Sequence, residues 1–337
     1  MPIETVFVTG GAGYVGAVLV PQLLDHGYRV KVLDLYTYGE DALNHAKNRP
    51  GLEQLHGDIR DTSLLSKVLP GCDAVIHLAC ISNDPSFELD PALSESINFD
   101  AFGPLVQIAK GSGVQRFIYA STSSVYGISE VENVTEDLPL VPLTDYNKYK
   151  GLCEPVLLAQ QSPDFTTVIA RPATVCGYSP RLRLDLTVNI LTASAVANRC
   201  ITVFGGSQQR PNIHIKDVVD LYEKMLEYPK EKIAGQIYNA GYQNHTVAEI
   251  AEIVRQVVER EMPELGKIDI ETTPSNDLRS YRISSEKIRQ QLGFEPQYTI
   301  DDAVTELCHA FKQGLIPDAM SDIKYYNVKV MQAAALR

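Results

Sequence analysis

A glycine-spaced turn directly behind a short β-branched run constrains this chain more than any other feature. The segment "VFVTGGAGYVG" sets Gly10, Gly13 and Gly16 after a strand and at the head of a helix. Glycine there permits a tight turn, lets backbone N–H groups approach a pyrophosphate and allows close helix–sheet packing, while the helix N-terminus favours negative charge. The next β-branched run ends in Asp34, about 20 residues on, where a carboxylate can accept both hydroxyls of a ribose and repel a 2′-phosphate. Leu35 and Tyr36 follow with no arginine close by, which favours NAD over NADP. A mere turn with a solvated strand end would require four well-placed residues to coincide.

The rest of the first half repeats the strand–helix alternation. Thr5–Thr9, Arg29–Asp34, Ala74–Leu78, Arg116–Ser121 and Thr166–Arg171 read as buried strands. Between the first two, Val15, Leu19 and Leu23 recur on one helical face, and Pro21 inside that helix should kink it or leave one carbonyl unpaired. Such alternation with right-handed crossovers predicts an α/β fold with a doubly wound parallel Rossmann sheet.

Beyond Arg171 the rhythm changes to loops rich in Pro, Gly and Arg, a helix from about Val188, a short strand Ile201–Phe204 and "RPNIHIKDVVD". An amphipathic helix near 247–260, a β run at 267–271 and a final helix near 300–313 follow. The expectation is an NAD-binding domain over 1–175, to which the chain returns around 212–240, and a smaller mixed α/β substrate-binding domain over 176–330. No Ser/Gly-rich linker separates them, so they should pack intimately.

Composition narrows the class of ligand. A formal charge of −12 argues against a protein that neutralises phosphate backbones, so nucleic acid is not an expected partner. No stretch reaches the roughly 18 apolar residues of a membrane span, so a cytoplasmic enzyme is expected, with no membrane partner. Cys72, Cys80, Cys153, Cys176, Cys200 and Cys308 form no C-x-x-C pair and read as free thiols, with no metal site.

The chemistry centres on "DYNKYKGLCEPVLLA", where Tyr146 and Lys150 share one helical face at i, i+4. A nearby ammonium lowers a phenol's proton affinity, so Tyr146 could remove a hydroxyl proton while hydride leaves the carbon. The pair alone is a common accident. It gains meaning from "RFIYASTSSVYG", whose strand should end beside the cofactor and present Thr122 to the substrate oxygen. Ser82 and Asn83, in "CISNDPSF", and Ser123 are candidate polar contacts to the substrate, although an Asn-Asp-Pro turn explains the first two equally well.

With these motifs together, the chain resembles the extended short-chain dehydrogenase/reductase family, in particular its NAD-dependent sugar-nucleotide epimerases and dehydratases. The likeness runs over "TGGAGYVG", Asp34, "GDIRD", "HLAC", Asn98, "STSSVYG", "YNKYK", "RPATVCG" and "RPNIHIKDV". It implies that Tyr14 and Val15 join the glycines at the cofactor, that Asp58 and Ile59 flank the adenine, and that Leu78, Ala79 and Cys80 line the ribose and phosphate side. Asn98 would also serve the cofactor, and Lys150 would hold the nicotinamide ribose. On the substrate side the resemblance implies diphosphate contacts from Arg210, Asn189 and Arg279, a base site at Val203 and Phe204, and a contact from Thr174. A homodimer is implied too, through the 94–110 segment and the helix opening at Tyr146, with Leu152, Val156 and Leu157 as candidate packing residues, although the same stripe can equally face its own sheet.

Departures from the family pattern count as well. Thr122 is followed by Ser123 and Ser124, where the 4,6-dehydratase branch carries an acidic residue to expel water, and neither serine is a general acid or base at neutral pH. Cys176 stands where many relatives have tyrosine, and Cys80 where alanine or glycine is usual. The resulting expectation is an epimerase of a nucleotide-diphosphate sugar that oxidises C4 to a ketone and re-reduces it on the other face. Net dehydrogenation of the sugar nucleotide, or reduction of a 4-keto-sugar, uses the same parts. A non-enzymatic dinucleotide sensor would ordinarily lose the tyrosine or the lysine, and both are present.

Overall fold

β1 (Thr5–Thr9) lies at the centre of the main sheet in the computed structural model, which describes residues 2–129, 131–274 and 280–334. It is followed by β2 (Arg29–Asp34), β3 (Leu52–His56), β4 (Ala74–His77), β5 (Arg116–Ala120) and β6 (Thr166–Pro172). The chain beyond contributes β7 (Thr174–Cys176), β8 (Cys200–Phe204), β9 (Gln209–His214), β10 (Gln236–Ala240), β11 (Gln243–Thr246) and β12 (Asp269–Thr273), of which β10 returns to the main sheet. The main sheet has seven strands in the order β10-β6-β5-β4-β1-β2-β3, all parallel. The order reverses between β1 and β4, and in an open parallel sheet that switch point opens a crevice beyond the carboxyl ends of the strands.

Period-two alternation explains why the sheet is covered on both faces. Val6, Val8, Val30, Val32, Ala74, Ile76 and Ile118 face one apolar cluster, shared with helices Gly16–Asp25 and Ile215–Glu227. Phe7, Leu33, Val75, Phe117 and Tyr119 face the other, shared with Phe102–Gly111 and Asp145–Leu158. Pro21 does not break its helix, which runs unbroken over Gly16–Asp25.

The strands β3, β7, β9, β10 and β11 have no counterpart among the strands that the sequence predicts. β3 pairs only with β2 and its five side chains are half-buried or exposed, so its alternation is weak. β12 begins two residues later than the β run read at 267 and pairs with β8 from Asp269↔Cys200 to Thr273↔Phe204. The smaller lobe adds a three-stranded sheet, β11-β9-β7, and a core in which Val188, Leu191, Ile201, Val203, Ile250, Val254 and Val304 meet. Helix Ile215–Glu227 and β10 then carry the chain back onto the main sheet. Among the described residues no helix is long and apolar enough to cross a membrane, and all six cysteines are free thiols.

Candidate active site

The cleft at the switch point is built first from the glycine turn. Gly10 has φ +75°, and a Cβ there would lie 2.6 Å from the Ala79 backbone nitrogen at the end of β4. At Gly16 a Cβ would fall 2.5 Å from the Gly11 backbone, so the helix can start this close to the turn only with glycine. Asp34, at the end of β2, accepts from the Ala12 N–H at 2.9 Å and the Tyr36 N–H at 2.8 Å, one on each carboxylate oxygen. Burial pushes its carboxyl up, opposed by those backbone donors. Each oxygen keeps a second lone pair for a ribose hydroxyl. A glycine cradle that tolerates no side chain, with a carboxylate behind it, fits a dinucleotide.

Gly10, Gly13, Tyr14, Val15, Gly16, Asp34, Ile59, Leu78, Ala79, Cys80, Ser82, Thr122, Tyr146 and Lys150 all line this cleft. The strand end of β5 supplies Thr122, whose hydroxyl accepts from the Ser124 N–H at 3.2 Å and opens the turn Ser123–Tyr126. Thr144 caps the next helix and so points Tyr146, in its first turn, at the strand ends.

The electrostatics differ from the sequence expectation. Lys150 donates to the Ala120 carbonyl at 2.7 Å and stands 5.0 Å over the Tyr119 ring, so one of its three N–H donors is committed to the strand end. It is not among the groups that act most strongly on Tyr146. Burial pushes that phenol well above its ordinary value, Cys80 and Asp84 add to the rise, and the Arg183 guanidinium opposes it. Tyr146 still shows surface, but that surface opens into the cleft and the ring is otherwise walled by protein.

Other predicted residues lie outside the cleft lining. Asp58 binds its own neighbour Arg60 through both oxygens, which holds its carboxyl low against the effect of burial. Asn98 accepts from the Ile81 N–H at 2.8 Å and donates to the Ile81 carbonyl at 2.9 Å, so it fixes the loop after β4, whose Ile81 lines the cleft. Asn189, expected at a diphosphate, is fully enclosed. Its amide serves the Tyr14 hydroxyl, the Arg183 carbonyl and the Gly177 N–H. Ser123 faces the Tyr281 hydroxyl at 3.3 Å, not the cleft. Thr174 is held in β7, between two cleft-lining neighbours, Ala173 and Val175. Val203 is inside the core of the smaller lobe, Phe204 is 62% exposed, and Arg210 is half-buried on β9; none of the three lines the cleft. Arg279 falls outside the described residues.

Two cleft residues without a counterpart in the sequence expectations come from the loop after β7. Arg181 and Arg183, from "SPRLRLD", project into the cleft. Arg183 is paired with Asp185 at 2.9 Å and donates to Ser82 at 3.2 Å. Burial disfavours its charge, but Asp185 overrides this and holds Arg183 above the ordinary value. Asn83, with φ +74°, caps the short turn Asp84–Phe87 and donates to Asp185 at 2.8 Å. Arg181 lies with its guanidinium 4.0 Å over the Tyr38 ring, and burial and the neighbouring Arg183 bring it down to about 10, still charged at neutral pH. The same loop is tied to the glycine turn: Tyr14 donates to the Gly177 carbonyl at 2.7 Å and Ser179 to the Tyr14 carbonyl at 2.7 Å. "PRLR" carried a signal, two arginines in a loop after a strand, but nothing in their spacing says which neighbours fill their hydrogen bonds.

Among the described cleft-lining residues, Asp34 is the only carboxyl. Beside Tyr146 the lining itself offers phenol, hydroxyl and ammonium groups, while the Asp84 carboxylate acts on the phenol from behind the lining.

A family model described as NAD-dependent epimerase/dehydratase matches residues 6–241. A UDP-glucose 4-epimerase of Lactobacillus helveticus is 27% identical over 320 residues, spanning 89% of this chain and 94% of that one. Among solved structures, a dTDP-glucose 4,6-dehydratase of Streptomyces venezuelae with NAD bound superposes with a TM-score of 0.81 at 26% identity, over 92% of this chain and 97% of that one. A UDP-glucuronic acid 4-epimerase of Bacillus cereus, in complex with UDP-glucuronic acid and NAD, gives a TM-score of 0.81 at 25% identity, over 92% and 99%.

Proposed function

The chain belongs to the NAD-dependent epimerase/dehydratase family, and within it we propose that this enzyme epimerises a nucleotide-diphosphate sugar at C4. The observation that carries this choice is the carboxyl-poor cleft. Removing water across C5–C6 needs a general acid and a base beside the sugar, whereas among the described residues the one carboxyl that lines the cleft, Asp34, belongs to the ribose end. Ser123 and Ser124, both turned toward Tyr281, add none. Single-carbon redox needs less: one base for the hydroxyl proton and one donor to hold the oxygen.

When bound, NAD supplies the hydride acceptor and donor at its nicotinamide ring. Tyr146, as phenolate, accepts the C4 hydroxyl proton and returns it at the end of the cycle. Thr122 would donate to the C4 oxygen, and Lys150 would hold the nicotinamide ribose through the donors that its bond to the Ala120 carbonyl leaves. A ketone that turns over before it is reduced gives the epimer, so the cofactor is not consumed. The ties of Tyr14 to Gly177, Ser179 and Asn189 favour a closed cycle over net oxidation or reduction, because they roof the phosphate turn and oppose exchange of the dinucleotide. The exposed Leu152 (42%) and the half-buried Val156 support pairing of two chains along helix Asp145–Leu158, whereas Leu157 faces its own sheet.

The test is a panel of UDP-, dTDP-, GDP- and CDP-hexoses incubated with the protein and a trace of NAD, followed by NMR and nicotinamide absorbance together. An epimer that accumulates far beyond the NAD supplied is the expected result. Product formed only in proportion to reduced nicotinamide would make the enzyme a dehydrogenase and overturn the reading.

A further inference from the structure

After helix Ile300–Lys312 the chain folds back across the cleft. The Tyr325 carbonyl accepts from the Leu184 N–H at 2.9 Å, and Tyr325 packs with Tyr14, Leu182 and Leu184, while Met331 enters the cluster that holds Phe7 and Phe102. This anchorage delivers Asn327, the first residue of helix Asn327–Ala334 and only 1% exposed, to the cleft wall. Its Oδ1 accepts from Arg181 Nη2, and its Nδ2 donates to Ser82 Oγ at 2.8 Å. With both ends of the amide engaged, its orientation is set.

Arg181 is 5% exposed, yet it forms no ion pair among the described residues, and its Nε has no hydrogen-bond partner. The carboxylates that influence it are occupied elsewhere, Asp185 by Arg183 and Asp34 by two backbone donors. Burying a cation without a counter-charge is strongly unfavourable, so a buried, unpaired guanidinium in a ligand cleft calls for an anionic ligand group. Two pyrophosphates are relevant to this family, that of the dinucleotide and that of a sugar nucleotide. The Tyr38 stack, the influence of Asp34 and the lashing of this loop to the glycine turn through Tyr14 all put Arg181 on the dinucleotide side.

We propose that Arg181 receives a pyrophosphate oxygen of NAD and that Asn327 is the positioning residue that presents it, so that the C-terminal helix forms part of the cofactor site. This rests on the NAD dependence of the family and not on which sugar reaction the enzyme runs, so either can fail alone.

The experiment is titration of the full chain with NAD, ADP-ribose, adenosine and UDP. Arg181→Met is expected to weaken NAD and ADP-ribose by about tenfold or more, as for loss of a charge-assisted hydrogen bond, with adenosine unchanged. Arg181→Lys should recover part of the loss. Asn327→Ala should weaken NAD by a smaller factor and have no further effect in the Arg181→Met background. NAD and ADP-ribose binding unchanged in Arg181→Met would overturn the proposal. So would an equal loss for adenosine, which means a collapsed cleft, or a loss confined to UDP, which moves the arginine to the substrate diphosphate. Additive losses in the double variant would remove the positioning role of Asn327.

Discussion

Tyr146 is the proposed proton carrier, and its environment sets the pH at which it works. Burial raises the phenol, and the active form is the phenolate, so the turnover rate should climb as pH rises through neutrality. Tyr146→Phe should lower kcat by about 10²–10⁴-fold and abolish that rise, checked by pH–rate profiles of the two proteins. At the other end of the cleft, Asp34→Ala should weaken NAD and narrow its advantage over NADP, read by titrating both dinucleotides. The residues brought to the cleft from the sequence sit in motifs whose backbone geometry is local: a turn, a strand end, the first turn of a helix. Asn189 and Asp58 lay in equally recognisable segments, but their side chains are claimed by Tyr14 and Arg60, and pairing of that kind is decided by packing.

Among the elements, β4 and β6 carry polar groups that make stability depend on the site. His77 on β4 is enclosed by Phe102, Phe117 and Tyr119 and shares a hydrogen bond with Thr9 at 2.7 Å. Burial, with help from Lys150, depresses it from 6.5 to about 3, so it stays neutral in the fold. Below 6.5 the unfolded chain binds the extra proton, so stability falls as pH drops through the window from 6.5 to about 3. About 2 kcal/mol is lost by about pH 5, and His77→Gln should flatten that slope in denaturant titrations.

On β6, Arg171 is paired with Glu154 of the Tyr146 helix at 2.5 Å and donates to Tyr126 at 2.6 Å, while Ser121 donates to the same carboxylate at 2.6 Å. Arg171→Met leaves a buried carboxylate unpaired and should cost about 3–5 kcal/mol of unfolding free energy, measured in urea. The central strands were legible because both faces of each are apolar. β3 was not, because an edge strand with one neighbour needs little alternation.

At the scale of the whole molecule, the parallel sheet and its switch point follow from strand–helix alternation, whereas the cleft's far wall does not. Arg181, Arg183 and Asn327 arrive from a loop and a terminal helix far apart in the chain, and Ser82 joins them from a third segment. No periodicity links such positions. A chain ending after residue 315 should lose stability and NAD affinity together, because it removes Tyr325 and Met331 from two apolar clusters as well as Asn327 from the cleft; thermal melts with and without NAD check this.

In the proposed epimerisation, hydride leaves C4 and returns to the same carbon without meeting solvent. The measurement that tests it most directly is turnover of the epimerised sugar nucleotide deuterated at C4, with the product analysed by NMR and mass spectrometry. The epimer is expected to keep its deuterium at C4 and to gain none at any carbon when the reaction is run in heavy water. Loss of the label to solvent, or solvent deuterium at C5 or C6, would contradict it and move the chemistry to proton abstraction or dehydration.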